Sequence, residues 1–341
     1  MALPEGLALR QLPVRRSCSD APTFGHADVK GVTRLMSTVR IAARVSTAWH
    51  RLLPPQVVRR GFQSELEQAP AIGDVSVRLA STLDEHQQAF TLLHDAYVGR
   101  GITAPSPSGM RFSVHSLMTG TATFVAVTGD RVVGTIALVE DTPIGIPMES
   151  THPEEVAAIR ATGRRFAEVS TLAVTREYRT RLVALQLYNA MYRWAARHRG
   201  IDDLLLAVHP QIGPFFRHVL TREKLGPTRS YSALNDAAST PFRLDLTDVH
   251  RRMTVLYDRP NMALDLHGES TNLFRYFVDD DVVPGVEIPA ESTSPDGITP
   301  NPAWSDDDVR ALLESTATWE SGVTTGELSA LASGTAGLTR A

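Results

Sequence analysis

The stretch Phe166-Ala-Glu-Val-Ser-Thr-Leu-Ala-Val174, followed through a helix-patterned segment at 179–199 to Asp203-Leu-Leu-Leu-Ala-Val208, decides how this chain folds. Both end segments are short and apolar, as buried strands are. Between them Gln186, Asn189, Arg193 and Arg197 recur at helical spacing as a narrow polar stripe, and Leu182, Leu185, Leu187, Tyr188, Met191, Tyr192 and Trp194 cover the remainder. A helix so broadly apolar must lie against a sheet. Strand, helix and strand in this order predict a right-handed parallel crossover.

Upstream, Thr123-Phe-Val-Ala-Val-Thr128 and Arg131-Val-Val-Gly-Thr-Ile-Ala-Leu-Val139 flank Gly129-Asp130, the pattern of an antiparallel hairpin on a two-residue turn. A strand from Val75 to Ala80 and a helix from Leu83 to about Tyr97 come first. An irregular loop with Gly101, Pro105, Pro107 and Gly109 fills 99–120, and a helix is expected near 153–161. A short helix from about Ile212 to Leu220 and a last strand at Pro241–Leu246 complete the pattern. The expected fold class is α/β (α+β): one mixed sheet with an N-terminal antiparallel hairpin, a C-terminal parallel crossover and helices on both faces, over residues 75–246. Residues 1–61 read as a disordered start and a basic helix from Val32 to Leu53, stopped by Pro54-Pro55. Residues 62–74 read as a linker, and 247–341 as a partly helical extension with a patch at Asp306 to Trp319 and a frayed end.

The chain has 341 residues, a formal net charge of -4 and one cysteine, Cys18. That charge does not describe a nucleic-acid binder, and one cysteine permits neither an internal disulfide nor a cysteine-based metal site. No run approaches a membrane span, and Arg15 and Arg16 interrupt where a secretory leader would be apolar. A cytoplasmic protein is expected. Residues 1–61 hold ten Lys or Arg against Glu5, Asp20 and Asp28, so the basic helix there is either a solvated or partner-docked face or a peripheral contact for anionic lipid.

Four stretches carry a resemblance. Leu93-His-Asp-Ala-Tyr-Val-Gly-Arg-Gly101, Glu140-Asp-Thr-Pro-Ile-Gly-Ile-Pro-Met-Glu149, Gly163-Arg-Arg-Phe-Ala-Glu-Val-Ser-Thr-Leu-Ala-Val174, and Arg229-Ser-Tyr231 with Asn235 resemble the long-chain N-acyl amino acid synthases. These are relatives of the acyl-homoserine lactone synthases within the N-acetyltransferase (GNAT) superfamily. The resemblance implies a GNAT-type sheet and transfer of a long acyl chain from an acyl carrier protein to an amino acid. The donor arm would be 4'-phosphopantetheine, with coenzyme A as the alternative and no tightly bound cofactor.

The residues themselves suit that chemistry. Making an amide from a thioester needs a base for the amine, donors for the oxyanion and a proton for the thiolate. Glu168 is the expected base, at a position where the family has a glutamate. By two-residue alternation Phe166, Ser170, Leu172 and Val174 share its face, and burial there raises a carboxyl's proton affinity. Ser170 is grouped with it as a catalytic candidate. The alternative is that Glu168 only pairs with Arg164 or Arg165. Acetyl-CoA enzymes of the superfamily follow this strand with a glycine-rich loop, but Thr175-Arg-Glu-Tyr-Arg-Thr-Arg181 has no glycine. Arg176, Arg179 and Arg181 offer side-chain cations instead, suited to a single phosphate and an acidic carrier protein. They also read as ordinary surface arginines.

His209, at the end of the second parallel strand, is a donor-site candidate where the family has asparagine. Phe216 stands where many superfamily members have a tyrosine that protonates the thiolate, and phenylalanine cannot. For the acceptor, Asp95 is assigned to an ammonium and Arg100 to a carboxylate, beside Tyr97, with Arg111 and His115 in the loop above. No metal-ligand spacing is present. Two other readings remain: a CoA-dependent acetyltransferase of a small amine, and a non-catalytic acyl- or carrier-binding module. A lactone synthase is disfavoured by Thr171, where such enzymes have arginine.

Overall fold

The computed structural model describes residues 74–179, 181–218 and 223–257, with short pieces at 263–266, 269–272 and 286–287 and single residues at 305 and 307. The basic helix at 32–53, the linker up to residue 73, Cys18 and nearly all of the 306–319 patch lie outside the described residues.

The strands are β1 (Ser76–Leu79), β2 (Thr121–Thr128), β3 (Arg131–Glu140), β4 (Phe166–Val174), β5 (Asp203–Val208), β6 (Glu223–Lys224), β7 (Arg229–Tyr231), β8 (Ala237–Asp245), β9 (Ala263–Leu266), β10 (Glu269–Asn272) and β11 (Val286–Glu287). The helices are α1 (Leu83–Val98), α2 (Pro153–Arg160), α3 (Arg181–Arg193), α4 (Gly213–His218) and α5 (Leu246–Tyr257). One mixed sheet runs β11-β1-β2-β3-β4-β5-β8-β6, with β7 also paired to β8, while β9 and β10 form a separate hairpin. β4 pairs with β5 and β1 with β11 in parallel, and the other neighbours are antiparallel. The expected mixed sheet is present. Sequence reading passed over β6, β7 and β11, which are two or three residues long and carry no periodicity.

Local chemistry sets the element ends. Thr82 caps α1 by accepting from the Glu85 amide at 3.3 Å, and Asp84 and Glu85 favour the positive end of the helix dipole. Gly129, at φ 55°, supplies the left-handed residue of the β2–β3 turn. Pro153 opens α2, where its missing N–H costs nothing.

The sheet separates two cores. On one face α3 packs through Val183, Leu187, Met191 and Trp194 against Phe124, Ile136 and Leu138. A Cβ on Gly134 would stand 3.1 Å from Leu187 Cδ1, so glycine lets α3 come this close to β3. The polar stripe of α3 is buried at Gln186, Asn189 and Arg193, while Arg197 is exposed. On the other face lie α1, the turn Val114–Leu117 and α2.

β4 does not alternate along its whole length. Glu168 sits opposite Val139 and Ser170 opposite Ala137, but the next pair is Ala173 with Thr135. Thr171 and Leu172 therefore oppose Ile136 alone, and Thr171 has φ 54°. This is a β-bulge, and one extra residue turns every later side chain over. Leu172 and Val174, expected beside Glu168, instead pack with Ala167 and Val169 under α3. Ser170 and Phe166 stay on the Glu168 side.

β4 and β5 pair only at Phe166–Asp203, Ala167–Leu204 and Glu168–Leu205. Beyond Glu168 both strands continue, β4 paired with β3 and β5 with β8, without pairing to each other. The closed end is locked by charge. Fully buried Asp203 accepts from Arg164 at 2.6 and 3.0 Å and from Arg243 at 2.8 Å, and Arg164 also reaches Asp245 at 2.9 Å.

Candidate active site

Glu168 is the last residue of β4 to pair with β5, and it is only 6% exposed. Around its face lie Val139, Ile146, Met148, Phe166 and Leu205. Neither Arg164 nor Arg165 neutralises it: the first serves Asp203, and the second stands 3.6 Å from Glu140. Its Oε2 accepts the Met148 amide at 2.6 Å. Burial pushes its carboxyl up to about 8, the Met148 bond works downward, and the nearby Glu149 charge works upward. A carboxyl so placed exchanges its proton near neutral pH, as a general base requires.

The Met148 amide is itself held. Ile146 N–H donates to Glu149 Oε1 at 3.1 Å, and Arg160 binds Glu149 at 2.5 Å and Asp141 at 2.6 Å. His152 N–H donates to the Met148 carbonyl at 2.8 Å. The Glu140–Glu149 and Gly163–Val174 stretches thus meet at the Asp141 N–H to Phe166 carbonyl bond and again at Met148 to Glu168.

A second cluster backs this turn. Fully buried His152 lies between Ser239 Oγ at 3.0 Å from Nε2 and Arg229 Nη1 at 2.9 Å from Nδ1. Arg229 also reaches Glu155 at 2.6 Å and Glu154 at 3.1 Å. Sequence reading missed the roles of Met148, His152, Glu155 and Ser239. Met148 and Arg229 did fall in the quoted stretches, but contacts spanning 20 to 87 positions leave no mark in local pattern.

On the donor side, Arg176 and Arg179 are exposed in the turn that leads from β4 to α3, and Arg179 Nε donates to the Val174 carbonyl at 3.2 Å. The side chain of Arg181, at the start of α3, lies outside the described part. His209 is exposed just past β5, and its Nδ1 accepts from Gln211 N–H at 3.3 Å. Phe216 is 4% exposed and packs among Tyr188 and Phe242, with ring centroids at 6.3 and 6.4 Å. It stands in the core under α3, in the same apolar cluster as Val174 and Tyr178.

On the acceptor side, α1 crosses β4 on the Glu168 face, with Leu93, Tyr97 and Ala173 in one cluster. Arg111 lies over the Tyr97 ring, 4.9 Å from its centroid, and donates its own N–H to the Phe90 carbonyl at 3.0 Å. Asp95 is exposed and faces His94 Nδ1 at 3.1 Å, while Arg100 is exposed beyond the helix end. Asn235 Nδ2 donates to the Gly101 carbonyl at 3.5 Å, so two further quoted stretches meet. His115 is 3% exposed, and neither ring nitrogen meets hydrogen-bond geometry among the described residues. Burial pushes its imidazole down to about 4, against the pull of the Ile144 carbonyl and Glu149. Among the described residues no three His, Cys, Asp or Glu side chains gather as a metal site.

The family model described as N-acyl amino acid synthase FeeM matches residues 88–245, a span that contains all four quoted stretches. No curated protein matches the chain. Among solved structures, FeeM, an N-acyl amino acid synthase from uncultured soil microbes, is similar at 20% identity, over 53% of this chain and 96% of that one, with a TM-score of 0.46. BjaI, a CoA-dependent acyl-homoserine lactone synthase, is similar at 18% identity, over 64% and 95%, with a TM-score of 0.40. An N-acetyltransferase from Staphylococcus aureus Mu50 is similar at 14% identity, over 51% and 98%, with a TM-score of 0.35. Residues 88–245, from within α1 to the end of β8, are thus similar to the N-acyl amino acid synthase FeeM family.

Proposed function

We propose that this domain transfers a long acyl chain from the phosphopantetheine thioester of an acyl carrier protein to the amino group of an amino acid. The observation that carries this reading is a buried carboxyl, Glu168, at the point where β4 and β5 part.

Beyond that point the backbone edges of β4 and β5 that face each other are unpaired with one another, and a pantetheine arm has amides to complement such edges. Glu168 takes a proton from the acceptor ammonium, and the free amine attacks the thioester carbonyl. The tetrahedral intermediate gives its second ammonium-derived proton to solvent and collapses to the amide, expelling a thiolate. The proton that Glu168 gained is the one the thiolate needs, so no separate acid is required and Phe216 is no obstacle. A free thiol has a pKa of about 8.5, close enough to Glu168 for the exchange. Arg176 and Arg179 face solvent at the entrance, where they suit a phosphate and an acidic carrier surface. Asp95, Tyr97, Arg100 and Arg111 are the candidates for gripping the amino acid. The lone cysteine suits a reducing compartment, and on this reading the protein works in the cytoplasm.

The test is direct. Purified protein is given hexadecanoyl acyl carrier protein, hexadecanoyl-CoA or acetyl-CoA, each with a mixture of amino acids, and products are read by mass. An N-hexadecanoyl amino acid formed from the carrier thioester supports the reading. Consumption of acetyl-CoA alone would replace it with a small-amine acetyltransferase, and binding without turnover would make the domain a carrier-docking module.

A further inference from the structure

Buried Ser239 beside a buried histidine looks at first like an activated nucleophile. Arg229 rules this out. A guanidinium only donates, so the Nδ1 atom of His152 that it meets at 2.9 Å must be an acceptor. The ring proton then sits on Nε2 and points at Ser239 Oγ, 3.0 Å away. In that tautomer His152 cannot take a proton from Ser239. Nor does it become an imidazolium readily, since a second proton would stand against the guanidinium. Burial first, and then Arg229, depress its proton affinity, with Glu155 opposing.

The ring is thus frozen from two sides by β7 and β8, and its own backbone reaches inward. His152 N–H donates to the Met148 carbonyl at 2.8 Å, and Met148 N–H donates to Glu168 at 2.6 Å. Arg229 also holds Glu155 and Glu154, so it grips the first turn of α2 through three side chains. Gly226 closes the same contact, because a Cβ there would stand 2.1 Å from Glu155 Oε1.

We infer that Arg229 is a positioning residue for Glu168, acting through His152 and Met148: it fixes the histidine ring, the ring fixes the turn 148–152, and the turn aims one amide at the carboxylate. The inference rests on Glu168 being the base. The bond from Met148 favours the ionised carboxylate, whereas burial and Glu149, itself tied to Arg160, favour the neutral acid. Loosening the turn removes the one favourable contact and leaves the others in place.

The experiment measures kcat/KM against pH, with the hexadecanoyl thioester that supports turnover, for the natural chain, Arg229→Met, Arg229→Lys, Ser239→Ala and Glu168→Gln. In Arg229→Met the acidic limb should move up by about one pH unit, a tenfold loss of rate below the limb with little loss above it. Lysine, a donor without the planar fork, should restore part of the shift. Ser239→Ala removes only the Nε2 partner, so it reports even where Arg229→Met fails to fold, and its limb should move the same way by less. A uniform fall in rate with an unmoved limb in the folded variants would make Arg229 a purely structural clamp and overturn the inference. Full turnover in Glu168→Gln would instead remove the base itself, and with it both this inference and the mechanism above.

Discussion

Met148 N–H donates to Glu168 Oε2 at 2.6 Å, yet the carboxyl still holds its proton up to about 8, because burial outweighs the bond and Glu149 adds to it. On the proposed mechanism Glu168 is therefore half-ionised in the range where an amine begins to lose its own proton. Catalysis needs the ionised form, so kcat/KM should rise with pH through about 8 and level off above it. A pH series with a saturating thioester checks this, and a limb near the ordinary carboxylate range of about 4.5 would contradict it.

Glu168→Gln should lower turnover by about 100-fold or more, the usual worth of a positioned base. Its stability should move the other way. The folded pKa is raised, so this group's favourable contribution is complete at pH values below the ordinary 4.5 and is lost as pH climbs toward 8. Glutamine carries no such penalty. The variant should match the natural chain near pH 4 and melt higher at pH 8, by about 2–4 °C for each kcal/mol relieved. Thermal melts at both pH values decide the matter.

Thr171 holds a left-handed φ of 54°, a conformation that costs a β-branched residue about 1–3 kcal/mol. Thr171→Gly should keep the bulge and raise the denaturant midpoint. Deleting residue 171 should leave Leu172 alone opposite Ile136, with Leu172 and Val174 still on the α3 side, so the domain should stay folded with β4 straightened. Chemical denaturation of the two variants separates these outcomes.

Asp203 is fully buried between Arg164 and Arg243 at the closed end of β4 and β5. Asp203→Ala leaves Arg164 and Arg243 with only the half-buried Asp245 as a shared anion and should destabilise the domain by about 3–5 kcal/mol. Equilibrium unfolding measures it, and a loss under about 1 kcal/mol would show the network to be solvent-screened.

Arg176 and Arg179 are exposed, so reversing both to glutamate should leave the fold intact. On the carrier-protein reading, KM for the acylated carrier should rise about tenfold or more and lose its salt dependence, with a smaller change for the CoA thioester. Equal changes for both donors would point to a site for the phosphate alone.

Most of the framework was legible along the chain. The β2–β3 hairpin, β4, α3 and β5 each have a period or a turn signal, and the carboxylate on β4 stood out as a charge in an apolar strand. Three features were not. The bulge at Thr171 has no residue signature, since threonine is a poor left-handed residue and only the register against β3 requires it. The polar stripe of α3 carries no sequence sign that Gln186, Asn189 and Arg193 are buried. The His152–Arg229–Ser239 cluster joins three elements far apart in sequence.

By itself, then, the sequence determined the order and type of the central elements and which carboxyl would be difficult to keep ionised, because periodicity and burial of apolar side chains act over a few residues. The tertiary structure alone decided how far β4 stays joined to β5, which side chains share the Glu168 face, and which amide meets that carboxylate. Those depend on register and on hydrogen bonds between distant segments, and a shift of one residue in β4 would change them all.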